Sequence, residues 1–222
     1  MQDKRITLFT GNFGSGKTEI SLNYALHLRE KNKKVAVVDL DVINPYFRSR
    51  AKSELMEEHD IEVIYPKELK HADLPVITAD IKKLLQNKEY YGVIDVGGDE
   101  DGATVLGSIA DSVKETAYEL NLVVNTKRPF TDNVEGIIKM KEKIEAASKM
   151  NVDNLICNIN LGKESDVEIV EKGYPIIKEA AKKLDLPIKF IAVKEDLKGA
   201  LDKLNYKEEI FPIERLLKNT WD

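Results

Sequence analysis

"FTGNFGSGKTEI", residues 9–20, sets three glycines, a lysine and a threonine between an apolar run and an amphipathic one. Gly11, Gly16, Lys17 and Thr18 fill the spacing G-x-x-x-x-G-K-[ST], directly after a strand pattern and directly before a helix pattern. Glycines let successive backbone N–H groups turn inward toward phosphate oxygens, and the following helix adds its positive N-terminal end. The lysine then supplies a point charge for the outer phosphates, and the threonine a hydroxyl for Mg2+. A plain glycine-rich strand-to-helix turn is the alternative, and a chance match becomes rare once the flanking elements agree. The loop therefore predicts nucleotide contacts from Gly11, Asn12, Phe13, Gly14, Ser15, Gly16, Lys17, Thr18 and, one residue into the helix, Glu19.

A phosphate-binding loop needs a second acid to orient the metal, at the end of a neighbouring apolar strand. "YYGVIDVGGDEDG" supplies Asp95 there, followed by Gly97 and Gly98. A glycine at that step brings its amide to the terminal phosphate and moves when that phosphate leaves. The competing role for Asp95, capping the next helix, is open to Asp99 or Asp101 instead. A third acidic stretch, "VVDLDVINPYFRSR", carries Asp39 and Asp41 on either side of Leu40. The reading places one carboxylate toward the phosphates and the other away, with residues 41–48 as a loop reaching the nucleotide. Thr18, Asp39 and Asp95 are the metal candidates; Lys17 and Asp41 are the catalytic candidates, Asp41 positioning the attacking water.

The rest of the chain alternates short Val- and Ile-rich runs with amphipathic ones. Strands are expected at 5–10, 34–40, 61–65, 91–96, 120–126, 154–159 and 188–193, and helices at 17–31, 49–58, 77–87, 102–116, 133–149, 165–184 and 196–204. Continuous apolar runs suit strands covered on both faces. The expected fold is α/β, a doubly wound, mostly parallel seven-stranded sheet with helices on both faces, in one domain over 1–222. Asp132 or Asn133 is a plausible cap for the helix near 133–149. "FPIERLLKNTWD" is expected to dock the C-terminus back on this domain.

Composition narrows the partners. The chain of 222 residues carries 39 acids against 34 bases, for a net charge of -5 with no basic block, which argues against a nucleic-acid partner over the whole surface. One cysteine, Cys157, excludes an internal disulfide and any Cys-pair metal site, and suits a reducing cytosol. No run reaches the roughly 20 apolar residues of a membrane helix, and "MQDKRITLF" lacks the core of a signal peptide. A cytoplasmic protein is expected. His27, His59 and His71 have no metal-site spacing, and Tyr46, Phe47 and Phe130 read as packing residues beside the loops.

The loop "GNFGSGKT", the "DLD" ending strand two, "DVGG" after strand four, and "LICN" with "AVKEDLKGAL" together resemble the MinD/ParA group of P-loop ATPases, which includes the nitrogenase iron protein and the CobQ/CobB domains. The resemblance runs over about residues 4–204. It implies ATP with Mg2+ as ligands. It assigns hydrolysis to Asp41 in switch I, and gives switch II to Gly97 and Gly98. Adenine recognition falls to Asn158, with Val193 to Leu197, Val193 and Glu195 included, closing over the base. It further implies a protein partner and a nucleotide-dependent homodimer. One departure is Asn12, where dimerising members carry a second lysine; Arg48, Arg50 and Arg128 are the arginines within loop reach. The group's cysteine pairs are also missing.

An ATP-driven switch is thus the leading expectation. A small-molecule kinase or ligase resembling dethiobiotin synthetase and CobB is one alternative, and a GTPase another. Guanine readers usually offer N-K-x-D or T-K-x-D, and neither "NTKRPFTD" nor "NINLGKES" places the aspartate. A module that binds nucleotide without hydrolysing it is the remaining possibility.

Overall fold

A computed structural model describes residues 3–41, 50–64, 79–98 and 100–216, with side chains except at 50–52, 100, 101 and 163. Strands β1 (Ile6–Thr10), β2 (Lys34–Leu40), β3 (Ile61–Ile64), β4 (Tyr90–Val96), β5 (Tyr118–Val124), β6 (Asn154–Cys157), β7 (Ile188–Lys194) and β8 (Glu209–Ile213) form one sheet. Between them run α1 (Lys17–Glu30), α2 (Arg50–Glu58), α3 (Ala79–Gln86), α4 (Glu100–Lys114), α5 (Val134–Ser148), α6 (Val167–Leu184) and α7 (Glu195–Leu201). The strand order is β3-β2-β4-β1-β5-β6-β7-β8 and every pair is parallel.

The expected doubly wound sheet is present, with eight strands among the described residues instead of seven. The added strand, β8, pairs with β7 from Phe190↔Glu209 to Lys194↔Ile213. Its sequence, "EIFPI", holds Pro212, which removes one ladder donor and is tolerated because β8 is an edge. The C-terminal "FPI" thus docks as part of a strand, while residues 217–222 lie outside the described residues.

Both faces are covered. Ile20, Leu22, Tyr24 and Leu28 of α1 and Met56 of α2 bury one face with Phe9, Val93, Val123 and Ile156. Ile81, Leu106, Ile109, Ile137, Ile144, Val170 and Ile177, from α3 to α6, bury the other. The chain leaves β1 with its helix on one face and leaves β5 with its helix on the opposite face. At such a reversal a crevice opens beyond the carboxyl ends of the strands, which is where ligands of open parallel sheets bind. Residues 11–16 lie at that point, directly after β1.

Candidate functional site at the carboxyl edge of the sheet

The loop between β1 and α1 is shaped by its glycines. Gly14 and Gly16 have φ of 73° and 87°, in the left-handed region that side-chain-bearing residues avoid. Gly16 caps α1 without any side-chain hydrogen bond, so the first N–H groups of the helix have no capping group on them. Gly98 approaches closest of all: a Cβ there would stand 1.6 Å from the carbonyl oxygen of Gly11. The "DVGG" stretch is therefore pressed directly against the loop. Thr10 Oγ1 donates to the Gly97 carbonyl at 3.4 Å.

Behind the loop lies a buried charge cluster. Thr18 Oγ1 donates to Asp95 Oδ2 at 2.6 Å, and Ser21 Oγ donates to Asp95 Oδ1 at 3.4 Å. Lys17 Nζ lies 2.8 Å from Asp41 Oδ2, with both side chains buried. Asp39 faces Asp95 across the β2–β4 ladder and accepts the Asp41 backbone N–H at 3.0 Å. Burial pushes the Asp95 carboxyl up to about 7; Lys17 and the Thr18 hydrogen bond oppose this, and Asp39 and Asp41 reinforce it. For Lys17, burial favours the neutral amine, but Asp95, Asp41 and Asp39 together outweigh it and hold the ammonium above its usual range.

Lys17, Thr18, Asp39, Asp41 and Asp95 are thus brought together. The expectation that Asp39 and Asp41 point to opposite sides is corrected: residues two apart along a strand share a face, and both carboxylates lie on the Lys17 side. A hydroxyl and several carboxylates are the hard oxygen donors Mg2+ takes. Among the described residues no cluster of three or more His, Cys, Asp or Glu side chains forms a metal cage by itself. The donor set and the glycine cradle fit a Mg2+–polyphosphate ligand.

Two openings flank the loop. A cavity of about 600 Å3 lies on the Asp41 side, bounded by Phe13, Gly98, Ala103, Phe130 and Met140. A cleft of about 360 Å3 lies on the other side, bounded by Gly14, Gly16, Glu19, Asn158, Lys194 and Glu214. Asn158 lines this cleft, and its Nδ2 donates to the Ser15 carbonyl at 2.6 Å. Among the described residues its Oδ1 is buried without a hydrogen-bond partner. Of the residues expected to close over the base, Val193 is buried in the sheet core and Glu195 starts α7, while Lys194 between them bounds the cleft.

Asn12 is held at both ends of its side chain, donating to the Pro129 carbonyl at 2.8 Å and accepting from the Phe13 N–H at 2.8 Å. Arg128 Nε donates to the Gly14 carbonyl at 3.0 Å. The segment after β5 is stitched to the loop at these two points, which sequence spacing alone does not reveal. Phe130, expected to pack, is instead 72% exposed, beside Phe13 at 74%. Cys157 is a core residue whose thiol burial pushes up. His27 packs edge-on to Phe211, and His59 sits in an exposed turn. Asp99, Arg48, Tyr46, Phe47 and His71 lie outside the described residues, as do the side chains of Arg50 and Asp101.

A parallel sheet, a glycine loop after its first strand, and a lysine–threonine–aspartate cluster behind that loop define the P-loop NTPase fold. Comparison with solved structures supports this at the level of the fold. The cell division protein FtsY of Thermotoga maritima aligns with a TM-score of 0.62 at 23% identity, over 87% of this chain and 63% of that one. Chloroplast FtsY of Physcomitrella patens gives 0.61 at 14%, over 88% and 60%. FlhF, in a complex with GTP and Mg2+, gives 0.54 at 16%, over 86% and 66%. The chain spans about 60% of the length of the two FtsY proteins. No family model and no curated protein matches the sequence. Among the described residues no helix is long and apolar enough to cross a membrane.

Proposed function

We propose that the protein is a Mg2+-dependent nucleoside-triphosphate hydrolase acting as a switch on a partner protein, with ATP as the ligand. The observation that carries this is the Lys17–Asp41 pair at 2.8 Å. The cation that must meet the outer phosphates is held by the carboxylate that opens the segment leading to α2. An arriving triphosphate competes for Lys17 and releases Asp41. The freed carboxylate is then placed to accept a hydrogen bond from the attacking water. Water adds to the terminal phosphorus as its bond to the bridging oxygen breaks, giving nucleoside diphosphate and phosphate.

Thr18 and Asp95 would hold Mg2+, which when bound neutralises charge on the outer phosphates. The chain's own contributions are the loop amides, the Lys17 ammonium, and the Gly98 amide pressed against the loop. Asn12 brings no cation, so one electrostatic contribution to the transition state is missing and slow turnover is expected. Phe13 and Phe130, both exposed beside the Asp41 cavity, offer an apolar contact for a partner or a second copy.

The base assignment follows from the cleft. Asn158 has an unpartnered buried acceptor, which suits the exocyclic amine of adenine, and Leu161 stands where the guanine-reading aspartate of N-K-x-D would fall. These features, with "LICN" and "DLD", favour the MinD/ParA-like reading. GTP is the second reading, favoured by the likeness to FlhF in its GTP–Mg2+ complex. Steady-state phosphate release from ATP and GTP tests both. ATP turnover at least tenfold more efficient than GTP turnover is expected, and the reverse preference would transfer the assignment to GTP.

A further inference from the structure

The cleft beside Asn158 has a wall that belongs to no recognised nucleotide-binding motif. Its far side is made by Ile213, Glu214 and Arg215, immediately after β8. This segment is tied to α1 by side chains. Asn23 Oδ1 accepts the Glu214 N–H at 2.8 Å, and Asn23 Nδ2 donates back to the Glu214 carbonyl at 2.9 Å. The same Nδ2 donates to the Glu19 carbonyl at 2.8 Å. One residue pair further on, the Leu216 N–H donates to Glu19 Oε1.

Asn23 therefore pairs with the Glu214 peptide as a neighbouring strand would, using one donor and one acceptor. It does so from a buried position in the middle of a helix, where asparagine is otherwise a weak choice. Glu19 is the residue after Thr18, so its bond ties the segment to the first turn of the helix that receives phosphate. β8 delivers the segment: its last pair, Lys194↔Ile213, sets Ile213 beside the residue of β7 that bounds the same cleft. The phosphate cradle and the strap share the cleft, the cradle contributing Gly14 and Gly16 and the strap Ile213, Glu214 and Arg215.

Resting on the nucleotide reading above, we propose that residues Ile213 to Arg215, anchored through the Leu216 N–H, form the nucleoside-holding wall of the site. Asn23 is the positioning residue that fixes this wall against α1. The cleft takes the base and ribose, and the strap sets affinity for that half of the ligand while the loop sets affinity for the phosphates.

The test uses the full chain and compares calorimetric binding of Mg·ATP, Mg·GTP and Mg·tripolyphosphate. Asn23→Ala is expected to weaken the preferred nucleotide about tenfold, from loss of the pairing to Glu214, and to leave tripolyphosphate within about twofold of wild type. Leu216→Pro, which deletes the N–H given to Glu19 without touching α1, is expected to do the same and guards against a folding defect in the helix variant. Equal losses for nucleotide and tripolyphosphate, or no loss for either, would overturn the strap's role while leaving the nucleotide reading intact. Absence of binding by wild type to every triphosphate would remove that reading and the strap's role together.

Discussion

Two buried lysine–carboxylate clusters occupy opposite ends of the same sheet. At the carboxyl edge, Lys17 faces Asp41, Asp95 and Asp39 beside an open glycine loop. At the amino edge, Lys189 pairs with Glu119, with side chains only 7% and 8% exposed, and the Lys31–Asp3 pair lies near enough to act on it. The lower cluster is closed by hydrogen bonds: Thr7 Oγ1 donates to Glu119 Oε1 at 3.2 Å and Asn154 Nδ2 to Glu119 Oε2 at 3.3 Å. Lys189 also donates to the Tyr24 hydroxyl at 3.2 Å. Burial holds the Lys189 ammonium below its usual range despite Glu119, whereas surrounding acids hold Lys17 above it.

Burial and pairing are common to both clusters, so neither marks a site by itself. The upper cluster has acids in excess over its one lysine and an opening through which a cation and phosphates can enter. The lower one is balanced and sealed, which is what a structural ion pair requires.

Exchanging which lysine is removed gives the largest contrast. Lys17→Ala is expected to cut triphosphate affinity by at least about a hundredfold with a folded protein remaining. Lys189→Ala is expected to cost roughly 3–5 kcal/mol of stability by stranding Glu119, while the folded fraction keeps its nucleotide affinity. Calorimetric titration and thermal melting of the two variants decide the point. A Lys189 variant that melts normally but loses nucleotide would erase the distinction between the clusters.

Replacing the whole lower pair sharpens it. Lys189→Met with Glu119→Leu is expected to recover most of that lost stability, since apolar residues of similar volume often replace a buried ion pair without penalty. Lys17→Met with Asp41→Leu is expected to restore no binding. Asp41→Ala alone should leave triphosphate affinity within about threefold and slow hydrolysis about a hundredfold, read from single-turnover phosphate release. Unchanged turnover would remove Asp41 from its role.

The smallest expected effect is on pH dependence. Asp95 is raised from 3.8 to about 7, so between those values the folded protein without ligand holds a proton that the unfolded chain has released. Stability without ligand therefore falls as pH rises from about 4 to about 7. Mg2+ favours the ionised carboxylate, so Mg·nucleotide affinity rises over the same window with proton release. Asp95→Asn should flatten the melting profile, raise the melting temperature by a few degrees at pH 7, and abolish the Mg2+ requirement along with tight binding. A profile unchanged by Asp95→Asn would place the titrating group elsewhere.

The upper cluster was largely legible in the sequence because its chemistry demands fixed residue types at fixed spacing. Lys17, Thr18 and Asp95, picked out by their spacing, are brought together behind the loop that Gly11 and Gly16 shape. The cap of α5 was legible too: Asn133 accepts the Gly136 N–H at 2.9 Å, as a capping asparagine does. What escaped depends on contacts far apart in the chain. β8 is short and contains Pro212, so its run does not read as a strand. Lys189 enters the core through a β-bulge, since Leu155 pairs with Ile188 and Ile156 with Phe190, leaving it as the extra residue. Asn23 and Glu19 read as ordinary polar helix positions until the segment after β8 is placed against them.

Equilibrium titration of the wild-type chain with ATP and GTP, with and without Mg2+, puts the upper cluster to the most direct trial. Saturable binding at a single site is expected for at least one of the two, tightened at least tenfold by Mg2+. Failure of both nucleotides to give saturable heat at millimolar concentration would contradict it.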